Sequence, residues 1–284
     1  MEEIDWRTAR LADEKEELKK ISEAVKVAKT ADIIILALGG NSRTENFNCD
    51  RPGLGLVGMQ EKLVEEIFTI GKPVILLLFG GKPYAVPQLY DKAGAVLFCW
   101  YLGQESGNAI ADILLGNVNP SGKLTITIPR SAGHLPAFYN HKPQTLGDYV
   151  FEDKSPLYPF GFGLSYTTFQ YKNLKLQKDT IMPNEICQVH VDVTNTGKYA
   201  GDEIVQMYIH DKYSSVTRPV KELKDFCKVH LNPGETKNVK LSITPEKLSF
   251  YDINMNYTIE PGDFEIMVGA SSTKYITKIL TVKK

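Results

Sequence analysis

The sequence predicts two domains of different class, an α/β sandwich followed by an all-β sandwich. The first domain is indicated by apolar runs that alternate with amphipathic helical segments up to about residue 130. The second is indicated by a change of hydrophobic period to two residues after Tyr171. The chain has 284 residues, which suffices for two domains of ordinary size.

Residues 1–130 are predicted to form an αβα sandwich with a mostly parallel sheet, because strands separated by helices give parallel βαβ units. The first strand is apolar on both faces, as expected of a strand covered by helices on both sides. The predicted strands are residues 32–38, 74–79, 95–100 and 124–128. The predicted helices are residues 13–29, 59–70, 86–92 and 104–115. The first of these helices carries an apolar stripe of Leu18, Ile21, Ala24, Val25 and Ala28.

Residues 171–284 are predicted to form an immunoglobulin or fibronectin type III-like sandwich of seven short strands separated by turn residues. The predicted strands are residues 172–177, 186–194, 203–210, 223–231, 237–244, 263–270 and 275–282. Residues 131–170 join the two domains. This segment is rich in proline and aromatic residues, which predicts an ordered connector and not a flexible linker.

Composition excludes several classes of function. The formal net charge is −1, which gives no attraction to nucleic acid or to an anionic membrane. Apolar runs such as residues 74–79 are far shorter than the roughly 18–20 residues that span a bilayer. The first residues are polar and charged, so no signal peptide is predicted there. We therefore predict neither a nucleic-acid partner nor a membrane partner.

The four cysteines, at positions 49, 99, 187 and 227, lack CxxC spacing and a matching histidine pattern, so no metal site is predicted. Cys187 and Cys227 could meet across the β-domain, although two reduced core cysteines are the favoured interpretation. His134 and His141 are interpreted as structural or rim residues.

The loop at residues 39–60 follows the first predicted strand and is the candidate functional site. It is rich in glycine and asparagine and carries Arg43, Glu45, Asp50 and Arg51. In an open α/β sheet, loops at the carboxyl ends of strands are where ligands usually bind. The alternative is a solvated loop in which Asp50 and Arg51 form an ion pair of little energetic value.

The same loop contains Gly53-Leu54-Gly55-Leu56-Val57-Gly58, which matches the dinucleotide fingerprint GxGxxG. That fingerprint requires its glycines directly between a strand and a helix, so that the pyrophosphate meets the helix N-terminus. Here Gly53 comes well after the predicted strand and directly after Pro52. A chance match is favoured over a nucleotide site, and no cofactor is predicted.

Several ordered motifs together closely resemble the C-terminal half of glycoside hydrolase family 3, the β-glucosidase and β-xylosidase family. The resemblance covers nearly the whole chain. The motifs are AspArg-x-x-Leu-x-Leu-x-Gly-x-Gln (50–60), GlyLysProVal (71–74), TrpTyrLeuGlyGlnGlu (100–105), AlaIleAlaAspIleLeuLeuGly (109–116), AsnProSerGlyLysLeu (119–124), ProArgSer (129–131), TyrAsnHisLysPro (139–143) and ProLeuTyrProPheGlyPheGlyLeuSerTyrThrThrPhe (156–169).

The resemblance implies a retaining glycosidase, which needs two carboxyl groups about 5–5.5 Å apart. In that family the nucleophilic Asp belongs to an N-terminal TIM-like barrel, which this sequence lacks. Glu45 is the implied general acid/base residue, although an ungapped alignment with members reading Gly-Glu-Gly-x-Asp-Arg places Phe47 there. Arg43, Asp50 and Arg51 are the implied substrate-binding residues. Arg43 and Asp50 are expected to touch sugar hydroxyls and Arg51 to brace the loop.

The sequence therefore predicts the C-terminal portion of a β-glycosidase that acts on oligosaccharides or aryl β-glycosides. Its expected partner is a TIM-like barrel domain or chain, and without that partner the chain is expected to be inactive. The alternative is a non-catalytic carbohydrate-binding or scaffolding module.

Overall fold

The computed structural model describes residues 14–41, 44–45, 51–143 and 149–284. The chain divides into two compact units. The first comprises residues 1–107 together with 128–135, and the second comprises residues 108–127 together with 136–284. The domain limits at residues 130 and 170 stay a prediction.

The first unit is built on a three-stranded sheet in the order β1-β2-β3, whose strands are parallel, as the sequence predicts. Its strands are β1 (Ile34–Gly39), β2 (Val74–Phe79) and β3 (Ala95–Trp100), and its helices are α1 (Glu14–Ala28), α2 (Gln60–Phe68) and α3 (Pro87–Tyr90). The β2–β3 register shifts between Leu78 and Phe79, so that Phe79 lies opposite Trp100. This irregularity lies at the carboxyl ends of the strands.

The predicted apolar surfaces of this unit are only partly buried. In α1, Ile21 and Ala28 are buried, whereas Leu18 is 42% exposed. In β1, Ile34 and Leu38 are buried, but Ile35 on the alternate face is 51% exposed. The alternate face of β1 is thus less covered than the prediction of helices on both sides implies.

The prediction of a strand at residues 124–128 is wrong. Only an isolated bridge at Ile128 remains of it. Leu124 pairs with the connector: its amide donates to Phe162 O at 2.8 Å, and the Gly161 amide donates to Leu124 O at 2.7 Å. These bonds use both backbone groups of Leu124, but the residues on either side of it form no strand, so no ladder develops.

The second unit is a β-sandwich of two mainly antiparallel sheets, in the orders β5-β13-β12-β7-β8 and β4-β6-β9, in which the β5–β13 pair is parallel. Its larger strands are β4 (Phe169–Leu176), β6 (Cys187–Asn195), β7 (Gly201–Asp211), β8 (Glu222–Leu231), β9 (Thr236–Ile243), β12 (Gly262–Gly269) and β13 (Tyr275–Val282). The smaller elements are β5 (Thr180–Ile181), α5 (Pro245–Leu248), β10 (Phe250–Tyr251) and β11 (Tyr257–Thr258). Helix α4 (Ser106–Leu114) begins at the end of the first unit and continues into the second, and a 3₁₀ turn forms at Ala132–His134.

Strict alternation along the strands explains this sandwich. In β6, every second side chain from Cys187 to Val193 is buried and its neighbours are half-buried. The two sheets enclose one apolar core, to which Met207, Leu241 and Phe264 belong. The seven predicted strands therefore all occur, each within about three residues of its predicted limits. Cys187 and Cys227 are both free thiols in this unit.

Within the described part of the chain, none of the helices combines the length and the hydropathy that crossing a membrane requires.

Candidate functional site

All three parallel strands of the first unit end in an unusual backbone conformation. Gly39, Gly80 and Trp100 have φ angles of 127°, 149° and 50°. The first two values suit glycine alone, while the left-handed value at Trp100 costs of order 1–3 kcal/mol for a bulky residue. Such strain persists where the surrounding structure holds the residue, and it marks this edge of the sheet as a candidate site.

Glu45 lies at this edge with its side chain only 3% exposed. Its Oε1 accepts hydrogen bonds from Arg51 Nη2 at 2.9 Å and from the Tyr84 hydroxyl at 2.7 Å. Its Oε2 accepts from the Gly81 amide at 2.8 Å and from the Tyr101 hydroxyl at 3.2 Å. Among the described residues, the carboxylate thus has four donors, two on each oxygen.

Two glycines make room for the carboxylate. A Cβ at Gly40 would collide with the carboxyl carbon and Oε1 of Glu45. A Cβ at Gly80 would collide with the Tyr84 hydroxyl and lie 2.6 Å from Glu45 Oε2. Because any side chain at either position would fill the space that the carboxylate occupies, the strand ends form a cradle shaped for Glu45.

Tyr84 is the buried centre of the cradle, with 1% of its surface exposed. Its hydroxyl accepts a hydrogen bond from the Gly40 amide at 2.7 Å, and lies 2.9 Å from Phe79 O and 2.7 Å from Glu45 Oε1. The hydroxyl has one proton, and the charged oxygen at the shorter distance is its stronger acceptor. Burial, together with the negative charge of Glu45, raises the pKa of Tyr84, so the hydroxyl remains a donor.

Arg51 ties Glu45 to the loop that follows it. While Nη2 contacts Glu45, Nη1 donates to Gly55 O at 2.9 Å. The Arg51 carbonyl in turn accepts a hydrogen bond from Lys82 Nζ. The next turn is fixed by Leu54 O, which accepts from the Ala85 amide at 2.8 Å. Arg51 is therefore held from both sides and brings a positive charge to the carboxylate.

These contacts determine the charge of Glu45. Burial by itself would raise the pKa of Glu45, but the hydrogen bonds from Tyr84, Gly81, Arg51 and Tyr101 outweigh burial and hold the pKa below its ordinary value of 4.5. Glu45 is thus an anion at neutral pH. In this state the carboxylate can accept a proton but has none to give.

The predicted site residues fall into two groups. Glu45 and Arg51 are brought together by the structure, whereas Arg43, Asp50 and the alternative Phe47 lie outside the described residues. The roles of all five stay predictions.

Sequence reasoning missed Tyr84 and Tyr101, which follow the ends of β2 and β3. A signal was present, since residues after the carboxyl ends of neighbouring parallel strands meet at one edge of the sheet.

Comparison with known protein families gives two matches. The description "Glycosyl hydrolase family 3 C-terminal domain" matches residues 4–166, which is more than half of the chain. The description "Fibronectin type III-like domain" matches residues 203–272, within the β-sandwich unit.

Curated relatives carry glycosidase names. A β-xylosidase of Formosa agariphila is 44% identical over 254 residues, which is 88% of this chain and 35% of the relative. A periplasmic β-glucosidase of Salmonella typhimurium is 40% identical over 265 residues, which is 89% of this chain and 35% of the relative. The chain therefore spans about a third of the length of the curated relatives it matches.

Solved structures agree with this picture. A β-glucosidase from Erythrobacter marinus superposes with a TM-score of 0.92 at 39% identity, covering 96% of this chain and 37% of that one. A β-glucosidase from Listeria innocua, solved in complex with glucose, gives a TM-score of 0.87 at 34% identity, covering 94% and 38%.

Proposed function

Because the chain belongs to glycosyl hydrolase family 3 through its C-terminal domain, we propose that it is the C-terminal portion of a retaining β-glycosidase of the β-glucosidase or β-xylosidase type. It hydrolyses O-glycosidic bonds of oligosaccharides or aryl β-glycosides together with a TIM-like barrel domain or chain. The barrel supplies the nucleophilic carboxylate, and Glu45 supplies the general acid/base. The cradle that holds the Glu45 carboxylate at the carboxyl edge of the sheet is the observation that carries the proposal.

In the first half of a retaining reaction, the carboxyl group of Glu45 protonates the leaving glycosidic oxygen while the barrel carboxylate attacks the anomeric carbon. The bond from the anomeric carbon to the leaving oxygen breaks, and a glycosyl-enzyme ester forms. Glu45 is left as a carboxylate, the form that its four donors stabilise in this chain.

In the second half, the Glu45 carboxylate takes a proton from water, whose oxygen attacks the anomeric carbon and releases the barrel carboxylate. Glu45 thereby regains the proton that the next cycle needs. The chain on its own holds the base form, so the acid form requires a rise in the pKa of Glu45. The negative charge of the barrel carboxylate, about 5–5.5 Å away in a retaining enzyme, would raise that pKa.

The proposal is tested by assaying the purified chain on aryl β-glucosides and β-xylosides, alone and joined to the N-terminal portion of the Formosa agariphila β-xylosidase. We expect no turnover by the chain alone, because Glu45 cannot both protonate the leaving oxygen and attack the anomeric carbon, and the nucleophilic carboxylate belongs to the barrel. We expect turnover by the joined protein, with kcat lowered about 10²–10⁴-fold by Glu45→Gln.

A second readout distinguishes an acid/base role from structural damage. For Glu45→Ala in the joined protein, added azide should restore turnover and give a β-glycosyl azide, because azide attacks the ester without general-base help. Turnover by the isolated chain, or an undiminished rate for Glu45→Gln, would contradict the proposal. Saturable binding of oligosaccharides without turnover in the joined protein would favour the carbohydrate-binding alternative.

A further inference from the structure

The four donors to Glu45 are not equivalent. Three of them are fixed: Tyr84 is buried, Gly81 donates through its backbone, and Arg51 is anchored by its second nitrogen to Gly55 O. The fourth, Tyr101, is 62% exposed, and its hydrogen bond of 3.2 Å is the longest of the set. Only this donor has most of its side chain in water.

The backbone around Tyr101 differs from that around the fixed donors. Tyr101 follows Trp100, whose φ of 50° is strained, and lies two positions before Gly103, whose φ is 77°. A strained residue and a glycine thus flank Tyr101, at the point where β3 has ended. Because most of the Tyr101 side chain lies in water, it can change rotamer at lower cost than a side chain inside a packed core.

The Tyr101 hydroxyl is also hydrogen-bonded to Oε2 of Glu45, the carboxylate oxygen that a substrate must reach. Oε1 of Glu45 faces the buried Tyr84 and Arg51, whereas Oε2 faces the Gly81 amide and Tyr101. While the Tyr101 hydroxyl occupies Oε2, a glycosidic oxygen cannot approach that atom at hydrogen-bond distance.

We propose that Tyr101 is a removable cap on Oε2 of Glu45, and that Arg51, Tyr84 and the Gly81 amide hold the carboxyl group in position when the cap leaves. This inference deepens the proposed function and rests on it for the identity of the incoming oxygen. Removal of the cap frees the side of Oε2 that it occupied and leaves the geometry of the carboxyl group unchanged. Tyr101 therefore controls access to Oε2, while the other three donors set the position of the carboxyl group.

The cap is tested on the isolated chain by carbodiimide coupling of Glu45 to an amine, followed by peptide mass spectrometry. Coupling requires a protonated carboxyl group and access to one of its oxygens. We expect Tyr101→Phe to increase the coupling rate at Glu45 at least threefold. The matched control is Tyr166→Phe, which alters another exposed tyrosine whose hydroxyl donates to a backbone carbonyl, Ile113 O, at 2.6 Å. This control should leave the rate unchanged.

A titration of the Glu45 carboxyl carbon by ¹³C NMR distinguishes the role of Tyr101 as the cap from that of Tyr84, which holds the carboxyl group. The signal is assigned with Glu45→Gln. We expect Tyr84→Phe to raise the pKa of Glu45 more than Tyr101→Phe does, because Tyr84 is the closer and buried donor. An unchanged coupling rate in Tyr101→Phe, or a larger pKa rise there than in Tyr84→Phe, would overturn the proposal. If Tyr84→Phe fails to fold, the coupling rate of Tyr101→Phe decides alone.

Neither measurement uses a glycoside or a barrel. The cap can therefore fail while the proposed function survives in the joined protein, and the cap can be supported while Glu45 proves not to be the acid/base residue.

Discussion

The two units each contain a buried glutamate paired with a cation and a tyrosine. In the first unit Glu45 is bound by Arg51 and Tyr84, and in the second Glu203 is bound by Lys123 at 3.2 Å and by the Tyr171 hydroxyl at 2.9 Å. Both carboxylate side chains are 3% exposed. Burial and charge pairing alone therefore do not set Glu45, the proposed acid/base residue, apart from Glu203.

The surroundings distinguish them. Glu203 lies within β7, and both of its partners are largely shielded from water. The Lys123 side chain is 13% exposed, and burial raises the pKa of Tyr171. Glu45 lies on a loop over strained strand ends, and one of its donors, Tyr101, is mostly exposed. Glu45 thus differs from Glu203 in the accessibility of one donor and in the strain of the local backbone.

The largest expected effect is the loss of stability on substitution of Glu203. Glu203→Gln leaves Lys123 without its counter-charge, so we expect the free energy of unfolding of the second unit to fall by about 3 kcal/mol, measured by urea denaturation. The control is Glu185→Gln, which breaks the exposed Lys178–Glu185 pair with side-chain exposures of 52% and 39%. This control should lower the free energy of unfolding by less than about 1 kcal/mol. Equal losses in the two variants would remove the distinction between these pairs.

A smaller effect is expected in the cradle. Gly80→Ala combines a φ of 149° with a collision against Tyr84 and Glu45, so we expect a loss of about 2 kcal/mol in the first unit. The control is Gly107→Ala in α4, where a Cβ meets no atom within 4 Å. There alanine should leave the free energy of unfolding unchanged or raise it by about 0.5–1 kcal/mol. An unchanged free energy of unfolding in Gly80→Ala would show that the strand ends do not form the cradle described.

The smallest effect is the dependence of stability on pH. The pKa of Glu45 is lower in the folded chain than its ordinary value of 4.5, so its hydrogen bonds contribute stability above about pH 4.5. That contribution is lost as the pH falls through the folded pKa.

We therefore expect the stability difference between the wild type and Glu45→Gln to be constant from pH 7 to about pH 5, and to shift against the wild type at lower pH. Denaturation curves at several pH values measure it. A change in this difference around neutral pH would instead mean that the pKa of Glu45 in the folded chain lies near neutral, as its acid role requires and its present contacts oppose.

The regular part of the fold could be predicted from the sequence alone. The strands at Val74–Phe79 and Ala95–Trp100 have the predicted limits, because fully apolar runs bounded by turn residues leave few alternatives. Residues 124–128 also alternate, yet they form no strand, because Leu124 bonds to the connector some 37 positions later. A local pattern shows that a segment can form a strand, but it does not identify the partner.

In the candidate site, too, some residues could be predicted from the sequence and others were found only in the tertiary structure. Glu45 and Arg51 belong to one short stretch and were identified through the resemblance of that stretch to a glycosidase family. The Tyr84 and Tyr101 hydroxyls lie 39 and 56 positions from Glu45 along the chain. No spacing rule connects residues at such separations.

The amino-acid sequence by itself determined the two fold classes, all but one of the predicted strand runs and the family, because these depend on hydrophobic period and on ordered motifs along the chain. Only the tertiary structure decided which donors surround Glu45 and hold its pKa below the ordinary value despite burial. A pKa depends on distances between groups, and these distances arise only when the ends of three strands meet at one edge of a sheet.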